Sequence, residues 1–103
     1  MNTEFCNHKE DSIYLKVSIA EPILVSCIED ASFSDIVLRL QKVASRRIIK
    51  EYLFHLVTGL FIKYDGKNKI FQITNCGLEL LNLIYVQRVR NIVEYTDLSI
   101  KVE

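Results

Sequence analysis

No stretch of this sequence approaches the roughly 20 consecutive apolar residues that a membrane-crossing helix requires. Its start, MNTEFCNHKED, is too charged to read as an export signal. The expectation from these two absences is a cytoplasmic protein. Proline occurs once, at Pro22, and glycine three times, at Gly59, Gly66 and Gly77, so no Gly-rich phosphate loop can be assembled. Three cysteines, Cys6, Cys27 and Cys76, are an odd number at wide spacing, neither a disulfide framework nor a CxxC pair. Reduced, mostly buried thiols are expected. Cys6 and His8 lack a second pair of ligands, so no metal is expected. There is no HExxH, no recurring pair of acids and no His with a nucleophile partner, and an enzyme is not expected. No cofactor or small-molecule effector is evident either. Net charge is absent too, with 13 basic against 13 acidic side chains. That balance speaks against a generic nucleic-acid coat, which is normally basic overall.

The distribution of charge says something different. Residues 1–35 hold two basic and seven acidic side chains, whereas residues 36–74 hold eight basic ones against Glu51 and Asp65 alone. Positive charge is thus confined to the middle third of the chain, as expected if one face meets phosphate. With half its residues hydrophobic and a length of 103, the chain suits a single globular domain. The expected division is a flexible tail over 1–11, a domain over 12–95 and a second tail over 96–103.

Residues 12–30 carry two overlapping patterns. Ile13, Leu15, Val17 and Ile19 alternate like a strand, while Ile19, Ile23, Cys27 and Ile28 fit one helix face. Pro22 is tolerable only in a first turn, so a helix opening near Glu21 is the minimum. The residues before it either extend that helix through a kink or form a strand, and the reading leans to helix. Residues 31–33 read as a connector. Ser32 or Ser34 caps a second helix to about Lys42, with Ile36, Val37 and Leu40 inward and Arg39 outward. After a turn at Val43-Ala44, Ser45 caps a third helix over 45–58, whose stripe is Ile49, Leu53, Leu56 and Leu60. Arg46, Arg47 and Lys50 crowd its start, where the helix dipole favours acids. Gly59 is the expected left-handed C-cap. Two short helices across a tight turn, the second carrying the charge, make a helix-turn-helix pattern.

A hairpin follows at 61–73, its turn signalled by Asp65-Gly66, with Lys63, Lys67 and Lys69 near the tip. A hairpin after the charged helix reads as a wing. Thr74 caps a last helix over about 75–95. Its apolar positions, including Leu81, Ile84, Tyr85, Val89 and Ile92, exceed what a small core needs. The surplus suggests a homodimer through this helix. Cys76, in the helix's first turn, is expected to be a buried structural thiol.

Ser45 followed by Lys50-Glu51-Tyr52-Leu53, Gly59-Leu60, the wing, and Thr74-x-x-Gly77 with Leu80-Leu81 resembles a group of small archaeal winged helix-turn-helix proteins. These are transcriptional regulators, and some are abundant dimeric DNA-binding proteins joined through a long C-terminal antiparallel coiled coil. The likeness spans about residues 17–93. It departs at Pro22, at Ala31-Ser32-Phe33 where a glycine is common, and in the length of the last helix.

The expected fold class is therefore mainly α with a small β-hairpin, a winged helix-turn-helix with an extended C-terminal helix. The expected function is sequence-specific binding of double-stranded DNA. Helix 45–58 enters the major groove, with Arg46 and Arg47 the candidates for guanine edges and Arg46 able to reach a phosphate instead. Arg39, Lys42, Ser45 and Lys50 serve the backbone, and the wing lysines Lys63, Lys67 and Lys69 follow phosphate or the minor groove. The competing expectation is a protein-interaction module of the same fold that touches no nucleic acid.

Overall fold

The computed structural model describes residues 13–90 and 99–102. They form a mainly helical α+β fold of four helices with small antiparallel strand pairs. The ambiguous segment divides between its two patterns. Strand β1 (Ile13–Lys16) leads directly into helix α1 (Val17–Ser26), which opens four residues before Glu21. Pro22 therefore lies inside α1, where it removes one backbone donor. The Ser26 hydroxyl donates to the Pro22 carbonyl at 2.8 Å. The lean toward an all-helical segment is corrected accordingly: burial decides it, because Leu15, Val17, Ala20, Ile23 and Leu24 all sit in the core.

A 3₁₀ turn at Cys27–Glu29 ends at Asp30, whose φ of 54° turns the chain. Helix α2 (Phe33–Leu40) then starts at Ser32 with a reciprocal cap. The Ser32 hydroxyl accepts from the Asp35 N–H at 3.1 Å, and the Asp35 carboxylate accepts from the Ser32 N–H at 3.2 Å. Helix α3 (Arg46–Thr58) follows across a short turn, with the Ser45 hydroxyl accepting from the Ile48 N–H at 3.2 Å. Ile36 and Leu40 of α2 meet Ile49, Leu53 and Leu56 of α3 in one core. Tyr52 extends α3's reach, its hydroxyl accepting from the Lys16 N–H at 3.0 Å.

Two expectations at the end of α3 are corrected together. Gly59 has a φ of −81°, and the left-handed residue is Leu60, at φ 68°. That turn throws Leu60 outward, 69% exposed, so it leaves the stripe it was assigned to. Strands β2 (Ile62–Asp65) and β3 (Ile70–Ile73) form the hairpin, with Asp65 opposite Ile70. In its turn Gly66 has no positive φ, and Lys69 takes the left-handed conformation at 57°. The connector before α2 is a strand neighbour of this hairpin. Ala31 and Phe71 exchange both backbone bonds, at 3.1 and 2.7 Å, which anchors the hairpin to the base of α2.

Helix α4 (Asn75–Arg90) is set by Thr74 and Gly77. The Thr74 hydroxyl is shared between the Leu60 and Phe61 carbonyls, at 2.7 and 2.9 Å, and accepts from the Gly77 N–H. A Cβ at Gly77 would lie 2.2 Å from the Phe61 carbonyl oxygen, so only glycine lets α4 cross the hairpin this closely. Strand β4 (Ser99–Val102) pairs antiparallel with β1, Ile13 opposite Val102. The expected terminal tail over 96–103 thus contains a strand, because β1 presents an unpaired edge for it to satisfy.

Candidate nucleic-acid interface

All nine side chains proposed for DNA contact are exposed: Arg39, Lys42, Ser45, Arg46, Arg47, Lys50, Lys63, Lys67 and Lys69. They lie on the end of α2, the α2–α3 turn, the first half of α3 and the hairpin. Burial of the apolar stripe of α3 sets this arrangement. With Ile49, Leu53 and Leu56 inward, Arg47 and Glu51 must face out, and they pair at 3.3 Å across one turn. Their side chains are 76% and 55% exposed, so the pair is the weak, surface kind, contributing about 0.3–0.5 kcal/mol. Arg46 takes a different direction, its guanidinium carbon 5.1 Å from the centroid of the Phe33 ring at the start of α2. This cation–π contact fixes Arg46 beside the helix.

The α3 N-terminus has no acid in its first turn. Arg46 and Arg47 open the helix and Lys50 follows one turn on, so its own first turn supplies no negative charge to complement the dipole. At the hairpin tip, the Asp65 carboxylate accepts from the Lys67 N–H at 3.0 Å, the Asn68 N–H at 3.2 Å and the Asn68 side-chain amide at 2.8 Å. The Asn68 bonds, chiefly that of its side chain, hold the Asp65 carboxyl below its usual pKa of 3.8. This fan of bonds shapes the loop that carries Lys67 and Lys69.

Between α3 and the hairpin runs an apolar groove of about 350 Å³ that sequence reasoning missed. Phe33, Leu53, Phe54, Val57, Tyr64 and Phe71 line it, with Lys50 the one charged lining residue. The Tyr64 and Phe71 rings are 4.8 Å apart across the hairpin. Phe54 points outward, is 66% exposed and meets the His55 ring edge-on at 5.4 Å. The outward position of Phe54 was the available signal. Its partners come from three separate elements and carry no shared spacing.

The dimer assignment on α4 needs correction. Ile84 is 4% exposed and Leu81 is packed against the core, because the Gly77 crossing turns that face onto the protein's own interior. An ion pair between Arg88 and Glu21 ties the same face to α1. Tyr85 and Val89 do face solvent, 61% and 60% exposed, joined by Leu78 and Leu83. Ile92 lies outside the described residues, as do Cys6 and His8. Cys76, expected to be buried, is exposed. Cys27 is fully buried in the core, and burial, reinforced by Asp30, pushes its thiol up to about 12. Among the described residues no three His, Cys, Asp or Glu side chains gather as for a metal ion, and no helix could cross a membrane. No protein-family model, curated protein or solved structure matches this chain.

Proposed function

We propose that this chain is a winged helix-turn-helix protein that binds double-stranded DNA sequence-specifically, a transcriptional regulator acting as a homodimer. In this reading α2 and α3 are the helix-turn-helix, β2 and β3 the wing, and α3 the helix that enters the major groove. The observation that carries it is the exposed cationic start of α3. Arg46, Arg47 and Lys50 surround a helix N-terminus that no acid of its own first turn complements. A phosphate backbone would supply the missing charge. Arg47, directed outward on α3, is the residue assigned to a guanine edge. Arg39 and Lys42 grip the backbone to one side, and Lys63, Lys67 and Lys69 to the other. The homodimer rests on the solvent-facing positions Leu78, Tyr85 and Val89 of α4, which recur at spacings of seven and four.

The test begins with selection of a preferred site from random duplexes. Arg47→Ala should then weaken the preferred site about 5- to 150-fold, matching the 1–3 kcal/mol of one bidentate base contact, with little effect on random DNA. Lys67→Ala should weaken both alike. Equal losses from both substitutions would remove the base-reading role of Arg47.

A second reading, a protein-interaction module, is favoured by the exposed aromatic groove beside α3. It predicts no binding of any duplex.

A further inference from the structure

The DNA-binding reading leaves the groove between α3 and the hairpin unused. Bases in a duplex are stacked inside the helix, so flat exposed rings have nothing there to receive. Yet the groove is built from four aromatic side chains, Phe33, Phe54, Tyr64 and Phe71, supplied by the start of α2, by α3 and by both hairpin strands. Phe54 and Tyr64 keep 66% and 49% of their surface in water, an apolar exposure that costs free energy unless something covers it. Its volume of about 350 Å³ falls at the small end of the range for ligand pockets, roughly 300–1,000 Å³.

Charge narrows the occupant. No carboxylate lines the groove, and its single charged lining residue is Lys50. A second cation stands at its edge, where the Arg46 guanidinium lies over the Phe33 ring. Glu51, the acid nearest in sequence to these cations, is paired with Arg47 on the outward side of α3. Rings that accept a flat apolar body, beside two cations with no acid among the lining residues, complement an aromatic ring bearing an anionic group.

We infer that this groove is the binding site of a small aromatic carboxylate. The ring system inserts between Phe54 and the Tyr64–Phe71 pair, and its carboxylate meets Lys50 and Arg46. The inference extends to regulation, and that extension rests on the DNA-binding reading. Arg46 and Lys50 are assigned to DNA, so a bound carboxylate would neutralise them and weaken DNA binding.

The test is an NMR titration of the full-length chain with 1-naphthoate and with its neutral analogue 1-naphthylmethanol. Saturable shifts concentrated at Phe33, Lys50, Phe54, Tyr64 and Phe71 are expected for naphthoate, with a Kd of about 1 mM or tighter. The neutral analogue should bind at least about fivefold more weakly, since only the anion gains a charge-assisted bond. Lys50→Gln should erase most of that difference. Phe54→Ala should weaken both ligands about tenfold or more, as expected for an aromatic wall, with circular dichroism confirming the fold of each variant. Scattered or non-saturable shifts would overturn the site. Equal binding of the neutral analogue would overturn the assignment of an anion. Tighter binding of a short acidic peptide carrying one phenylalanine would overturn the small-molecule assignment. In a second arm, naphthoate should displace a preferred duplex from the wild-type chain. Ligand binding without displacement overturns the regulatory role alone. A chain that binds no duplex overturns the DNA reading and the antagonism with it, while the titration still decides the site.

Discussion

Helices α2 and α3 begin with the same residue and opposite electrostatics. Ser32 and Ser45 each cap with the side-chain hydroxyl, at 3.1 and 3.2 Å. At α2 the third helical residue is Asp35, which completes the reciprocal cap, and Arg39 lies in the last turn. Both ends of α2 therefore agree with its dipole. At α3 the third residue is Ile48, no acid is present in the first turn, and Arg46 and Arg47 open the helix. One helix start carries its own acid and the other has none in its first turn. In the proposed reading, the local rule broken at α3 is the one that a phosphate backbone would complete.

The largest effect that bears on this contrast is expected from exchanging Arg47 and Glu51. The double variant Arg47→Glu with Glu51→Lys keeps the net charge and an ion pair across one turn, yet places an acid at the start of α3. Affinity for a preferred duplex should fall about 100-fold, from loss of the 1–3 kcal/mol base contact plus repulsion of phosphate. Fluorescence anisotropy measures it, and unchanged affinity would break the contrast. Next in size are the caps. The double variant Ser32→Ala with Asp35→Ala should cost about 1–2 kcal/mol of stability because both reciprocal bonds are lost, whereas Ser45→Ala should cost about 1 kcal/mol. Urea denaturation gives both values, and a larger loss at Ser45 would reverse the assignment of which helix start is self-sufficient.

A smaller effect sharpens the comparison by its sign. The same Arg47/Glu51 exchange should stabilise the free protein by about 0.3–1 kcal/mol, since an acid now meets the dipole and the pair runs in its better direction. A variant that is more stable and binds DNA less is what the contrast requires. The smallest concerns a third carboxylate that organises N–H groups, at the hairpin tip. Asp65 has a folded pKa below its unfolded value, so its contribution is present above pH 3.8 and is lost as pH falls through the lower folded value. Its carboxyl carbon should titrate by NMR with a midpoint below 3.8, and a midpoint at or above that value would show that the Asn68 bonds do not form in solution.

Much of the contrast was legible in the residues. Ser45, Ile49, Leu53 and Leu56 specify α3 and its inward face, and Asp65-Gly66 marks the hairpin. Properties that depend on distant partners were not. Whether residues 13–16 pair as a strand depends on Ser99–Val102, more than eighty positions away. The direction of Ile84 was hidden by the close crossing at Gly77, which turned an apparent partner-facing stripe inward. The left-handed position at Leu60 was misassigned to the neighbouring Gly59, because a glycine permits positive φ without requiring it. The aromatic groove escaped notice because its walls come from α2, α3 and both hairpin strands.

The most direct test of an α3 start completed by an outside anion is a salt-varied titration of the protein against its preferred duplex. Neutralised phosphates release counterions, so log K should fall linearly with log salt at about −0.9 per contact, reaching about −6 per protomer if all seven cations assigned to phosphate engage. Lys67→Ala should make that slope shallower by about one, whereas Arg47→Ala, which removes a base contact, should lower affinity with little change in slope. A wild-type slope near zero, or no duplex binding at any salt, would contradict the account.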